Sequence, residues 1–189
     1  VQPIIGCQID IQYTDPKVGE SLPKVAPIIL IAQSERGYQN LMKLNSCLYL
    51  DEEKRGFPRL DLTQLKDHSD DLICLSGGPD GPIGSLIEEG QIDKATIYAA
   101  NLLEIFDDRF YIELQRHPEE GGLPVREQKT EPLFLQIAYE MDIPIVATND
   151  VHFLNPEAFE SHDALLCIAD GAYVDQQEPR RRLTRQHYF

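Results

Sequence analysis

The sequence has no run of eighteen apolar residues, which excludes a membrane-spanning helix of the ordinary kind. No basic segment leads into an apolar stretch near its start, so no signal peptide is expected. Cysteine is sparse: Cys7, Cys47, Cys74 and Cys167 lie far apart and form no Cys-x-x-Cys pair. Three of them sit in apolar runs, which predicts reduced, mostly buried thiols in a cytosolic protein rather than a disulfide framework. Positive charge is also scarce. Lys and Arg number 17 against 32 Asp and Glu, a net charge of −15, the opposite of the basic footprint that grips phosphate backbones. The one dense cationic run is Arg180-Arg181-Arg182 with Arg185. This stretch alone is therefore not expected to hold DNA or RNA, although an acidic body can belong to a larger protein whose basic surface lies elsewhere. Repeats and low-complexity tracts are absent as well. The chain opens without Met, inside the apolar phrase VQPIIG, and is expected to be an excised piece of something longer.

What is present is an alternation of strand-like and helix-like segments. Ile4–Ile11, Pro27–Ala32, Asp71–Ser76, Phe110–Gln115 and Ile143–Thr148 read as strands. Ser34 predicts the cap of a helix to Leu50, with Tyr38, Leu41, Met42, Asn45 and Leu48 on one stripe. Further helices are expected over Pro82–Glu89, from an Asp93 cap to Ile105, from a start with Pro132 in its first turn, and from Asn155-Pro156 to Ile168. In the third of these, Leu133, Phe134, Ile137, Ala138 and Met141 should face inward. Asp51–Lys66 reads as an exposed loop. After Gly171 the pattern fades into a polar, Arg-rich segment. Such alternation predicts an α/β fold with mostly parallel strands, open or barrel-like.

Sites in parallel α/β folds sit at the carboxyl ends of strands. Three strand ends carry unusual residues: Ser76-Gly77-Gly78, Gln115-Arg116-His117 and Asp150-Val151-His152. Side chains two apart share a strand face, so Asp150 and His152 should point the same way if the strand persists that far. Likewise Glu113, Gln115 and His117 should lie opposite Phe110, Ile112 and Leu114. Imidazole and carboxylate are first-choice ligands for zinc, manganese or iron, and a metal is the natural hypothesis. The same pair serves acid/base chemistry without one. The plainer reading is a loop Asp bonding backbone beside an exposed His. Gly77-Gly78 reads as a tight turn needing positive φ. His162 is expected to be half-buried on a helix stripe with Phe159, Leu165 and Leu166. His68 and His187 are expected in solvent, and the pairs Glu88-Glu89 and Glu119-Glu120 on a solvated surface.

Six ordered blocks carry a resemblance: IIGC from residue 4, GYQNLMKL from 37, LSGG from 75, FYIELQ from 110, ATNDVH from 147 and HDALLCI from 162. Together they resemble the N-terminal polymerase-and-histidinol-phosphatase (PHP) domains of the bacterial replicative, C-family DNA polymerase III alpha subunits, over nearly the whole chain. The main replicative form is a better match than the error-prone paralogue. The resemblance implies a distorted (β/α)7 barrel with metal ions at the strand ends, here partial because its first strands are missing. It aligns His117, Asp150 and His152 with ligand positions. The family's His-x-His and a later Asp-His would precede residue 1. Gln8 stands where metal-replete members carry an acid, and Gly78 where many carry Cys. An amide and a hydrogen do not replace a carboxylate and a thiolate.

The expected site is therefore vestigial, with Zn, Mn or Fe held weakly or not at all. No catalytic or cofactor-binding residue is expected in the chain, since the polymerase aspartates, with their Mg, would lie outside it. Residues 1–170 are expected to form an incomplete PHP domain and residues 171–189 an exit segment toward the polymerase core. The parent chain would be a cytoplasmic DNA-directed DNA polymerase (a nucleotidyltransferase). The domain itself would be non-catalytic, structural or a dock for the proofreading exonuclease subunit, among other holoenzyme subunits. DNA would contact the rest of the parent chain. The alternative is a metal-dependent phosphoesterase or 3′–5′ exonuclease of the same superfamily. A sheet lacking its first strands exposes an edge, which predicts a dimer or an edge covered by the termini.

Overall fold

A computed structural model describes residues 2–14, 22–50, 58–118, 122–176 and 180–189. The pair Glu119-Glu120 lies outside the described residues. Five strands form one sheet in the order β1 (Gly6–Thr14), β2 (Lys24–Ala32), β3 (Leu72–Leu75), β4 (Phe110–Gln115) and β5 (Ile145–Thr148). Six α-helices accompany them: α1 (Glu35–Leu50), α2 (Leu62–Asp67), α3 (Pro82–Glu88), α4 (Ile92–Phe106), α5 (Val125–Glu140) and α6 (Phe159–Asp170). The fold is α/β, as the alternation predicts, but the sheet is mixed and is not closed. β1 and β2 pair antiparallel, as do β2 and β3, while β3 and β4 are parallel. The expectation of mostly parallel strands therefore fails. Between β2 and β3 the chain comes back to the end it left: Leu72 starts opposite Ala32.

The chain forms two compact units, one of Val1–Leu114 with Lys129–Val146, the other of Gln115–Gln128 with Ala147–Phe189. The first holds the main hydrophobic core. Ile9 and Ile11 on β1 alternate with exposed Gln8 and Asp10, and they face Ile28 and Ala26 on β2 in register. Pro27 is tolerated because its partner Asp10 directs its backbone away from β2, as the Leu60 N–H donation to the Asp10 carbonyl shows. The missing N–H of Pro27 thus faces the β3 side, beyond the last β3 partner at Ile29.

Ser34 caps α1 as expected, its Oγ accepting the Gly37 N–H at 3.2 Å. The buried stripe is Gly37, Asn40, Leu41, Leu44 and Leu48, whereas Tyr38 and Met42 are exposed. The stripe is rotated because Gly37 lies against the Asp71 carbonyl, where a Cβ would come within 2.0 Å. Helix α2 overlaps the end of the Asp51–Lys66 segment read as an exposed loop, of which residues 51–57 lie outside the described residues. Its Asp61 and Gln64 form a reciprocal capping box, a local signal that the turn-rich surroundings hide. Helix α4 starts at Ile92, one residue before the expected Asp93 cap. Helix α5 begins at Val125, so Pro132 lies in its interior rather than its first turn. Phe134, Ile137 and Ala138 are buried as predicted, with Leu133 and Met141 partly so.

The turn after β3 follows the glycine reading: Gly77 and Gly78 have φ of +81° and +56°. A Cβ on Gly77 would sit 2.1 Å from the Pro27 carbonyl. The buried Glu113 carboxylate accepts the Gly77 N–H at 3.1 Å, and Ser76 Oγ accepts the Glu113 N–H at 2.9 Å. All four cysteines are free thiols. Burial, reinforced by Glu113, pushes the Cys74 thiol far up.

In the second unit, α6 ends at Gly171 in the left-handed conformation. Its buried residues are Phe159, Asp163 and Cys167; Leu165 is exposed, so the expected stripe through Leu165 is wrong by about one residue in phase. The reason is Arg180, which draws Asp163 inward. Its guanidinium donates to both Asp163 oxygens, at 2.6 and 2.9 Å. Those bonds hold the Asp163 carboxyl below its ordinary range. Arg181 pairs with Asp170 and Arg185 with Glu160, while Arg182 and Arg185 lie over the Phe159 ring. The dense cationic run is thus neutralised by its own helix. Among the described residues, no helix is long and apolar enough to cross a membrane.

Candidate metal site

All the candidate ligands belong to the second unit. Strand β4 ends at Gln115, and His117 follows two residues later. Its backbone N–H donates to Glu127 Oε2 at 2.9 Å, and its Nδ1 lies 2.6 Å from Glu127 Oε1. Both carboxylate oxygens thus serve one residue. Glu127 is in the first turn of α5, where an acid also complements the helix dipole. His117 is 1% exposed and Glu127 6%. The remaining His117 nitrogen, Nε2, is buried and makes no hydrogen bond among the described residues.

Strand β5 stops at Thr148, so the parity argument for Asp150 and His152 fails. Asp150 has φ of +29°, which breaks the alternation of an extended chain. The two side chains nevertheless meet: His152 Nε2 lies 3.2 Å from Asp150 Oδ2. Both are partly exposed. The turn brings together what the strand would have set side by side.

His187 connects the two parts. Its ring stacks on His117 at 3.7 Å between centroids, 8° from parallel, and lies 6.0 Å from the His152 ring. The expectation that His187 is in solvent is wrong; it is 8% exposed. Its Nδ1 is 3.0 Å from Thr184 Oγ1. Burial first, then the facing His117 ring, pushes its pKa down to about 4 against the opposing pull of Thr184 and Asp150. His162 is half-buried, as expected, and packs against His152 and Phe153 at 5.5 Å from each.

The segment carrying His187 is laced to the strand end. Asn149 Nδ2 donates to the carbonyls of Gln186 and Tyr188, at 3.0 and 2.6 Å. The His152 N–H donates to the His187 carbonyl at 2.9 Å, and the Phe189 N–H to the Phe153 carbonyl at 3.1 Å.

Three residues chosen from strand ends therefore gather around one histidine that the sequence reading set aside. Glu127 was missed with it. Neither carries a local signal: Glu127 looks like any acid in a first helical turn, and His187 sits in a polar run.

Residues 1–117 match the family model described as PHP domain. The chain belongs to the PHP domain family. Its full length also aligns with "DNA polymerase III subunit alpha" of Caulobacter vibrioides, 46% identical over 189 residues, covering 100% of this chain and 16% of that protein. The Rickettsia bellii subunit is 36% identical over 189 residues, and that of Haemophilus influenzae 34% over 192, each covering 100% of this chain and 15% of the relative. The PHP chain thus spans about a sixth of the length of the curated relatives it matches.

Does this PHP pocket fit a metal ion? A divalent ion needs ring nitrogens and carboxylates converging on one point about 2 Å from each donor. Glu127 on Nδ1 of His117 orients that ring as in a ligating histidine and leaves its Nε2 without a hydrogen bond, but Nε2 of His152 faces Asp150 and Nδ1 of His187 faces Thr184. Among the described residues, no group of three or more His, Cys, Asp or Glu side chains is arranged to hold a metal. Gln8 is exposed on β1 and Gly78 buried in the β3 turn, and neither offers an anionic donor. In this conformation the donor set does not fit the ion.

Proposed function

We propose that the chain is the PHP module of a bacterial replicative DNA polymerase alpha subunit, without hydrolytic activity of its own. The observation that carries this reading is the end-to-end alignment with DNA polymerase III alpha subunits at up to 46% identity. On this reading the five strands are part of a distorted (β/α)7 barrel. His117, Asp150 and His152 are the remnant of a metal site that holds Zn, Mn or Fe weakly or not at all. The pairing of His152 with Asp150 supports that, as do the neutral Gln8 and Gly78. Nucleotide transfer, with its Mg and its DNA contacts, belongs to the rest of the polymerase chain, and residues 171–189 lead toward it.

The module then serves as a structural element or as a dock for the proofreading exonuclease subunit within the cytoplasmic holoenzyme. The net charge of −15 and the internally paired arginines favour a protein partner over direct DNA contact. The test is incubation of the purified chain with Mn²⁺ or Zn²⁺ and a generic phosphate ester. No turnover above the metal-only control is expected. Turnover that disappears in His152→Ala would establish the phosphoesterase or exonuclease alternative instead.

A further inference from the structure

We infer that the outward face of α6, with the turn that follows it, is a contact surface for another part of the polymerase chain. The inference rests on the reading of this chain as one module of a longer polymerase, and names where that module meets its host.

Three observations converge on it. First, α6 is apolar on two sides. Its buried side holds Phe159, Asp163 and Cys167. At about 100° per residue, Ser161, Leu165, Ile168 and Ala169 fall on the opposite side, and all four are exposed. Leu165 is 62% exposed and Ile168 77%. The only Asp, Glu, Lys or Arg between Ser161 and Ala169 is Asp163, which is buried against Arg180. A helix at a solvent boundary turns its charges outward, whereas one that is apolar all round is covered all round.

Second, another exposed apolar pair, Tyr173 and Val174, follows the Gly171 cap. It sits in a fastened turn. The Gln176 N–H donates to the Tyr173 carbonyl at 3.0 Å. Arg180 donates to the carbonyls of Val174 and Gln176, at 3.2 and 3.0 Å. The guanidinium that holds Asp163 inward thus holds this turn as well. Its backbone is fixed while its apolar side chains stand in solvent, which is preorganisation for a partner.

Third, size selects the occupant. Leu165, Ile168, Tyr173 and Val174 are four large exposed side chains, whereas an interface between separate proteins engages roughly 20–30 residues a side. A segment of the same polypeptide needs far less, because its tether presents it at an effective concentration on the order of millimolar. The relatives have ample chain to supply one: this sequence covers 16% of the Caulobacter vibrioides subunit.

The experiment places Ile168→Cys in the isolated chain and in the longer polymerase that contains it, with circular dichroism confirming that each is folded. Maleimide labelling of the introduced thiol is followed by peptide mass spectrometry, and primer extension by the longer chain checks the module reading separately. Labelling is expected to be at least roughly tenfold slower in the polymerase, as for a site open about a tenth of the time. Ile168→Glu is the second variant. It should leave the urea midpoint of the isolated chain unchanged, because the position is exposed there, and should restore fast labelling of Leu165→Cys in the polymerase. Equal labelling of Ile168→Cys in both chains, with primer extension intact, overturns the inference and spares the reading beneath it. A longer chain without primer extension overturns that reading. Slow labelling of the isolated chain that becomes fast on dilution assigns the face to a second copy, and protection that appears only when a separate subunit is added assigns it to that subunit. Either result overturns the inference. If Ile168→Cys does not fold, Leu165→Cys takes its place.

Discussion

Asp163 shows how much one side chain can organise. It is a buried carboxylate met by both nitrogens of a buried arginine. Such a pair adds little over an apolar substitute, but removing one partner strands the other charge. Asp163→Asn is therefore expected to lower unfolding free energy by about 3–5 kcal/mol, read from urea denaturation at neutral pH. The pH dependence follows from the lowered carboxyl pKa. The unfolded chain takes up a proton near the ordinary 3.8, while the native chain still resists it. The contribution is complete above that value and is lost as the pH falls through the lower native one. In Asp163→Asn this acid-side loss should be missing. Residue by residue, the sequence yields those candidates whose chemistry sits at a recognisable place. His117, Asp150 and His152 are found because strands end beside them. Glu127 and His187 escape because their partners lie ten and seventy residues away in the chain, and no local spacing encodes such a meeting.

Elements are legible where their signals are local and unopposed. β4 has the predicted boundaries, and the Ser34 cap and the glycine turn after β3 behave as their chemistry requires. Helix α2 was hidden although its capping box is plain in the sequence, because Pro58 and the preceding charged residues dominate the neighbourhood. Asp61→Ala should cost about 1 kcal/mol of stability, seen as a lower urea midpoint, since it frees the Gln64 N–H and dissolves the reciprocal bond. Helix α5 is the opposite case. Pro132 is a strong start signal, yet the helix begins seven residues earlier, where Glu127 is needed by His117. A tertiary contact outweighs a propensity there.

For the molecule as a whole, alternation revealed the class and hid the strand directions. Hydrophobic patterning marks which residues are buried, but carries no record of whether a chain turns back or crosses over. One edge of the sheet is β1. Leu60 pairs with its outer side at Ile11, bonding Gln12 and Asp10, so that an internal segment rather than a terminus covers part of the edge. Among the described residues no strand lies on the outer side of its Gly6–Gln8 end, the side away from β2. Edge-to-edge pairing there predicts a concentration-dependent dimer in light scattering. Gln8→Pro should weaken it, because Gln8 directs its N–H to the same outer side as Asp10 and leaves the β2 ladder untouched. A wild type that stays monomeric at every concentration would remove this argument.

The spatial order of the five strands is also their order along the chain. As the polypeptide emerges from the ribosome, each new strand can therefore dock on one already made, with no wait for a distant partner. Loop-closure entropy is met in small successive steps, which favours quick assembly and limits the lifetime of unpaired, aggregation-prone intermediates.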